Sequence, residues 1–215
     1  MRALALCLAL VLAAAPQAAG GDNAVAPDSA HTITGYVSSP GYRNYIATVV
    51  NLLEVPPLKA ECPSLVVTES DEVVVIKAPT FVKAGAVWNI DGGTWIAKVH
   101  VDRCGKPAIR RFLLEAIPGA DQVKPIRLFP GEFAGNLQLE ADASRILLPG
   151  VMGVAKCNDW KTLYILDTKL TNPVSSAGWS ERWLAQACDR RVSFDVDYAR
   201  AMGGVNITGM NFKAL

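Results

Sequence analysis

The chain reads as an α+β protein made of two tandem copies of one unit, each a helix packed on an antiparallel β-meander and closed by one disulfide. Three observations predict this. Apolar residues recur at helical spacing twice, over 40–53 and 136–148. Each stretch is followed by β-branched and alternating segments bounded by turn residues, as half-buried antiparallel strands require. Four landmarks also recur in one order: a glycine, a proline, a cysteine, and a tryptophan nine residues ahead of a second cysteine. The pairs Gly41/Gly135, Pro56/Pro149, Cys62/Cys157 and Trp95/Trp179 are offset by 94, 93, 95 and 84 residues. The last offset is shorter because Trp95 follows Cys62 by 33 residues and Trp179 follows Cys157 by 22.

Residues 1–20 have the layout of a secretory signal peptide. Met1 and Arg2 form a short basic start, residues 3–15 are an unbroken apolar run, Pro16 ends it, and Ala18, Ala19, Gly20 and Gly21 supply a small-residue cleavage region. The run falls short of the roughly 20 residues needed to cross a bilayer. Cleavage after Ala19 or Gly20 removes one of 21 basic residues and one of five cysteines, leaving 20 bases against 20 acids and four cysteines. An even cysteine count in an exported chain favours disulfides over free thiols. The mature chain is therefore expected in the periplasm or secreted, with no transmembrane segment. An apolar content of 51% excludes a disordered chain, and balanced charge excludes nucleic acid or an anionic membrane as a general partner.

The first unit is expected over residues 21–125. Ser39 and Pro40 look like an N-cap and first helical residue. Tyr42, Ile46, Val49, Val50 and Leu53 then share one helix face, and Pro56 with Pro57 stops the helix. Strands are expected over 64–69, 73–78, 86–90, 94–103 and 108–117, with Asp91, Gly92 and Gly93 as a hairpin signal. The second unit is expected over 126–215. Its helix spans 136–148, with Leu137, Ala141, Ser144 and Leu148 on one face and Pro149 and Gly150 ending it. Its strands cover 162–167, 179–187, 191–198 and 205–212. In the third, Val192, Phe194, Val196 and Tyr198 alternate with Arg191, Ser193, Asp195 and Asp197, one face apolar and the other polar.

Four cysteines allow three pairings, and the duplication selects Cys62 with Cys104 and Cys157 with Cys188, one bridge inside each unit. A zinc site would want a C-x2-C spacing or neighbouring histidines, and neither occurs, so no metal is expected. No G-x-S-x-G elbow, P-loop or H-E-x-x-H stands in the chain, so neither a catalytic residue nor a cofactor is assigned. The Trp segments are the most specific feature. On a strand, Trp179, Glu181, Trp183, Ala185 and Ala187 share a face, as do Trp95, Ala97, Val99 and Val101. The plain interpretation is a core stripe. The functional one is an aromatic face in which Trp95, Trp179 and Trp183 bind a protein or glycan partner, with Glu181 as polar anchor. Glu181 is expected at an edge, or paired with Arg182 or Arg200. His100 lies on the opposite face with Lys98 and Asp102, a candidate base, and His31 lies near the mature N-terminus. The carboxylate clusters Glu69/Asp71/Glu72, Glu140/Asp142 and Asp195/Asp197 read as solvated faces or turns, and Arg110 with Arg111 as a short basic pair.

Trp179, Glu181 and Trp183 followed by Cys188 resemble the W-x-E-x-W…C pattern of uncharacterised exported proteins of Gram-negative bacteria, where the cysteine is usually followed by glycine. The first unit has Cys104 and Gly105 without the Glu and second Trp; the second has those, followed by Cys188 and Asp189. The resemblance implies export and a disulfide-linked β-rich domain, and no activity. The two-unit plan with one bridge per unit also resembles the secreted β-lactamase inhibitory proteins, in architecture alone. Together these features lead to an expectation of an exported, non-enzymatic protein that binds a macromolecular partner, inhibitor-like. The alternatives are an envelope hydrolase acting on glycan or peptide, and a structural module without ligand.

Overall fold

A computed structural model describes residues 32–69, 72–84, 87–120 and 122–215. The expected signal peptide and His31 lie outside these residues. Ser39 starts the first long helix where the sequence places it: its hydroxyl accepts the Tyr42 N–H at 3.1 Å, and Pro40 opens α2, Pro40–Leu52. A short helix α1, Ile33–Val37, precedes it and buries Tyr36. Pro56 and Pro57 do more than stop α2. They open a further helix α3, Pro56–Glu61, since proline is as suited to a first turn as it is unsuited to a helix interior.

The strands of the first lobe are β1 Leu65–Val67, β2 Glu72–Ala84, β3 Val87–Arg103, β4 Lys106–Ile117 and β5 Gln122–Arg127. They form one antiparallel sheet in which β3 pairs with β1, β2 and β4, and β4 pairs with β5. The hairpin expected at Asp91, Gly92 and Gly93 is absent. These residues lie inside β3, and β2 and β3 pair antiparallel up to Ala84 opposite Val87. The glycines serve the sheet instead. Gly93 has φ +121°, and a Cβ there would fall 2.6 Å from the Pro79 Cα, so β2 passes β3 at a distance only glycine permits. Register shifts at Val75/Lys77, Lys77/Thr80 and Thr80/Phe81 mark β-bulges along this crossing.

In the second lobe α4, Leu137–Ala155, is capped by the Asn136 side chain on the Leu139 N–H at 2.9 Å. It does not end at Pro149 but runs through it for another turn and a half. A proline there costs about 3 kcal/mol; the turns beyond it bury Val151, Met152 and Ala155, which offsets that cost. A left-handed Lys156 closes the helix (φ +54°). A 3₁₀ turn, Trp160–Thr162, leads into β6 Tyr164–Asn172, β7 Gly178–Ala187, β8 Arg190–Ala201 and β9 Gly204–Ala214, a four-stranded antiparallel sheet in chain order. The architecture is α+β, with four helices and two antiparallel sheets among the described residues.

Each sheet buries one face under its helix. In the first lobe Tyr42, Ile46, Val49 and Val50 of α2 meet Trp95, Ala97, Val99 and Val101 of β3 and Phe112 and Leu114 of β4. In the second, Ala143, Leu147, Val151 and Met152 of α4 meet Trp179, Trp183, Ala185 and Ala187 of β7, with the alternating Val192, Phe194, Val196 and Tyr198 of β8. The disulfides join Cys62 to Cys104 and Cys157 to Cys188, each with Cα atoms 5.9 Å apart. In both, the cysteine after the helix is buried, and the one at the strand end is exposed and left-handed, φ +52° at Cys104 and +55° at Cys188. Gly105 after Cys104 is also left-handed (φ +80°), whereas Asp189 is not, so the two hairpins turn differently.

Candidate functional site

Lobe contacts are reciprocal. Val55 and Leu58, at the start of α3, pack on Leu166 of β6 with Tyr164 and Leu184 beside it, on the sheet face away from α4. Glu61 of α3 pairs with Arg103 and also with Arg191 of β8. In the other direction, the linker 128–136 runs on from β5 beside β4 and passes to the second lobe at β6. Its path is set by backbone hydrogen bonds from Leu128 to Arg111 (3.0 Å), Gly131 to Ile109 (3.1 Å) and Glu132 to Thr168 (2.7 Å). The Thr168 hydroxyl donates to the Pro130 carbonyl, and the Leu170 N–H to the Glu132 carboxylate. Gly131 has φ +87°, and a Cβ there would fall onto the Thr168 carbonyl oxygen, so only glycine fits between β4 and β6.

A buried polar node anchors the same linker. Arg110 and Arg111 are neighbours on β4 and so point to opposite faces of the sheet. Arg110 pairs with Glu54 behind α2 at 2.6 Å; Arg111 pairs with Glu140 of α4 at 3.0 Å and lies over the Phe133 ring, 5.1 Å from its centroid. Glu140 also accepts the Phe129 N–H at 2.6 Å. Glu181 is wholly buried. One of its oxygens accepts the Trp179 Nε1–H (2.9 Å) and the Ala134 N–H (3.0 Å), and the other accepts the Trp183 Nε1–H (2.7 Å). The W-x-E-x-W spacing thus places two indole donors on one carboxylate, which fixes Ala134 of the linker. Burial holds the Glu181 carboxyl above the usual carboxylate range, against these donors and Arg111. Burial raises Glu140 in the same way, opposed chiefly by Arg111 and the Phe129 N–H.

Between the linker and the first sheet lie two adjoining cavities. The larger, about 700 Å³, is bounded by Val74 and Ile76 of β2, Ile96 and Lys98 of β3, Phe133 and Leu137, with Leu170 of β6 closing one side. Val74 and Ile76 are half exposed there, at 52% and 53%. Glu72 pairs with Lys98 at 3.0 Å at its rim. The smaller, about 460 Å³, has Glu69, His100, Glu132, Asp167 and Lys169 in its walls. Gly131 and Glu132 belong to the walls of both, so the cavities adjoin there, and the two together make up the trough. Among the described residues no hydrogen bond or ion pair links His100 to these carboxylates, and no group of His, Cys, Asp and Glu is placed to hold a metal ion.

The residues expected to form a partner-binding face lie in the core. Trp95 (1%), Trp179 (7%) and Trp183 (0%) are core residues, and Glu181 is neither at an edge nor paired with Arg182 or Arg200. They lie on the helix-covered faces of both sheets. Trp88 is partly buried against the first core. Glu140, expected on a solvated face, is 7% exposed and ion-paired, and Arg110 and Arg111 are buried rather than a surface pair. The residues that line the trough carry no sequence motif that marks them as partner-binding. The β2 run Val73, Val74, Val75, Ile76 shows a strand with no polar face, which is the one signal that an exposed apolar surface was present. No protein-family model, curated protein or solved structure matches the chain. No described helix is long and apolar enough to cross a membrane.

Proposed function

We propose that the chain is an exported, non-enzymatic protein, periplasmic or secreted, that binds a macromolecular partner in the trough between its lobes. The observation that carries this is the half-exposed pair Val74 and Ile76 beside buried Ile96, an apolar floor with charged groups at its rim. Two disulfides support an oxidising compartment. We also propose that the lobes are copies of one unit. The same order of helix, buried cysteine, strand and Trp-x8-Cys strand in each, with a left-handed second cysteine, supports that origin. Replacing Ile76 with a photo-crosslinking residue in the exporting cell is expected to yield a defined adduct, while the same replacement at Ser193, on the polar face of β8, yields none. Adducts from Ser193 alone, or from neither position, overturn the proposal.

A second reading, a hydrolase acting on glycan or peptide, draws on His100, Glu69, Glu132 and Asp167 in the walls of the smaller cavity. It predicts turnover of envelope glycan or peptide that His100→Ala abolishes.

A further inference from the structure

We infer that the occupant of the trough is an extended polypeptide segment in which apolar residues alternate with basic ones. The inference rests on the partner-binding function proposed above and gives that partner a chemistry. Shape is the first reason. The two cavities adjoin at Gly131 and Glu132 and take alternate residues of β3, Ile96 and Lys98 in one and His100 in the other, so the trough follows the strand. The floor is the second. Val74 and Ile76 of β2 and Ile96 of β3, opposite Val74, set three apolar side chains side by side in the larger cavity, where an extended chain lays down alternate side chains. A glycan would want an exposed aromatic platform. Phe133 in the wall is 6% exposed, and Trp160, exposed at 56%, lines neither cavity.

Charge is the third reason. The trough carries the carboxylates of Glu69, Glu72, Glu132 and Asp167 against the ammonium groups of Lys98 and Lys169. Arg111 also reaches it, with its charge offset by Glu140. Arg110 and Arg103 act on Asp167, but each is itself paired, with Glu54 and Glu61. The balance is negative and favours a basic partner. An apolar floor flanked by acids selects alternation: apolar side chains down, lysines or arginines toward the rim.

The test uses the mature chain and three fluorescent peptides of equal length: alternating Lys and Val, alternating Glu and Val, and alternating Lys and Ser. The Lys/Val peptide is expected to bind, more weakly as salt rises, and the other two at least about tenfold less tightly. Val74→Ser with Ile76→Ser is expected to weaken the Lys/Val peptide about tenfold or more. Glu69→Lys with Glu72→Lys should invert the preference between the Lys/Val and Glu/Val peptides. All four positions are exposed, and an unchanged thermal midpoint confirms that each variant is folded. Equal binding of the Lys/Val and Glu/Val peptides, or Lys/Val binding indifferent to these substitutions, overturns the inference. If Ile76 still gives its defined adduct in the cell, the partner-binding function stands and only the partner's chemistry is wrong; loss of both overturns both.

Discussion

Trp95 and Trp179 each stand nine residues before a bridged cysteine, yet their indole N–H groups end differently. Trp179 donates to Glu181, with Trp183 as second donor; Trp95 Nε1 is buried with no hydrogen-bond partner among the described residues. Two residues on from Trp95 stands Ala97, where the second lobe has Glu181. The first lobe's β3 is therefore an apolar core strand carrying one orphaned donor, and the second lobe's β7 carries a charged node. The difference follows from what each strand supports. Glu181 fixes Ala134 of the linker, and that linker walls the trough, whereas β3 supports only its own helix on that face. One architecture thus accommodates a polar core where a loop must be held, and an apolar one where nothing outside the core depends on it.

The parallel is broken most severely through the bridges. Removing either disulfide by paired Cys→Ser substitution is expected to lower the unfolding free energy by about 4 kcal/mol, because loop length enters only logarithmically. The loops span 42 and 31 residues, so urea unfolding should find the two losses alike within a few tenths of about 1 kcal/mol. A loss confined to one bridge would show that the lobes are not equally dependent on them. Next comes the contact between lobes. Arg111→Met strands a buried Glu140 and is expected to cost about 3 kcal/mol, and adding Glu140→Leu should recover most of it. If the double substitution is as unstable as the single one, packing around Phe133 rather than charge carries that contact.

Tryptophan replacement compares the lobes directly. Trp183→Phe removes one of the Glu181 donors and should cost about 2 kcal/mol, while Trp95→Phe should cost under about 1 kcal/mol because an unpaired donor leaves with the ring. Thermal melts of both variants check the order, and a reversed order would mean that Trp95 has a partner in solution. The smallest effect is a slope with pH. Burial raises the folded-state pKa of Glu181 above its ordinary value of 4.5, so in the pH interval between the two the native state binds more proton than the unfolded chain. That stability is full below the ordinary value and is lost as pH rises through the raised one. Glu181→Gln should flatten this decline; an unchanged slope would assign it to Glu140 and Asp167, which burial also raises.

Local signals were legible wherever they concern the chain's own neighbours. Ser39 and Pro40 specify the start of α2, the alternation over 191–198 specifies β8, and the cysteine landmarks specify both bridges. What misled was local as well. Pro149 reads as a stop, but α4 continues because Val151, Met152 and Ala155 have a sheet to pack on. Asp91, Gly92 and Gly93 read as a turn, but a neighbouring strand passing close at Pro79 needs the same residues. The trough was legible only as the unbroken apolar run of β2, because its far wall is contributed by residues 131–137 and Leu170, 55 or more positions after Ile76.

The sequence alone determined the α+β class, the cysteine pairing and which face of each Trp strand turns inward, since these follow from periodicity and spacing along one segment. Tertiary structure decided what the inward face means. Glu181 is legible as a carboxylate between two tryptophans, but whether it anchors a partner or a loop depends on what lies within 3 Å of it, and its third donor is Ala134, 47 residues away. Likewise Arg110 and Arg111 are one basic pair in the chain and two unrelated ion pairs in the fold. Strand geometry sends neighbours to opposite faces, and only the assembled lobes supply an acid on each.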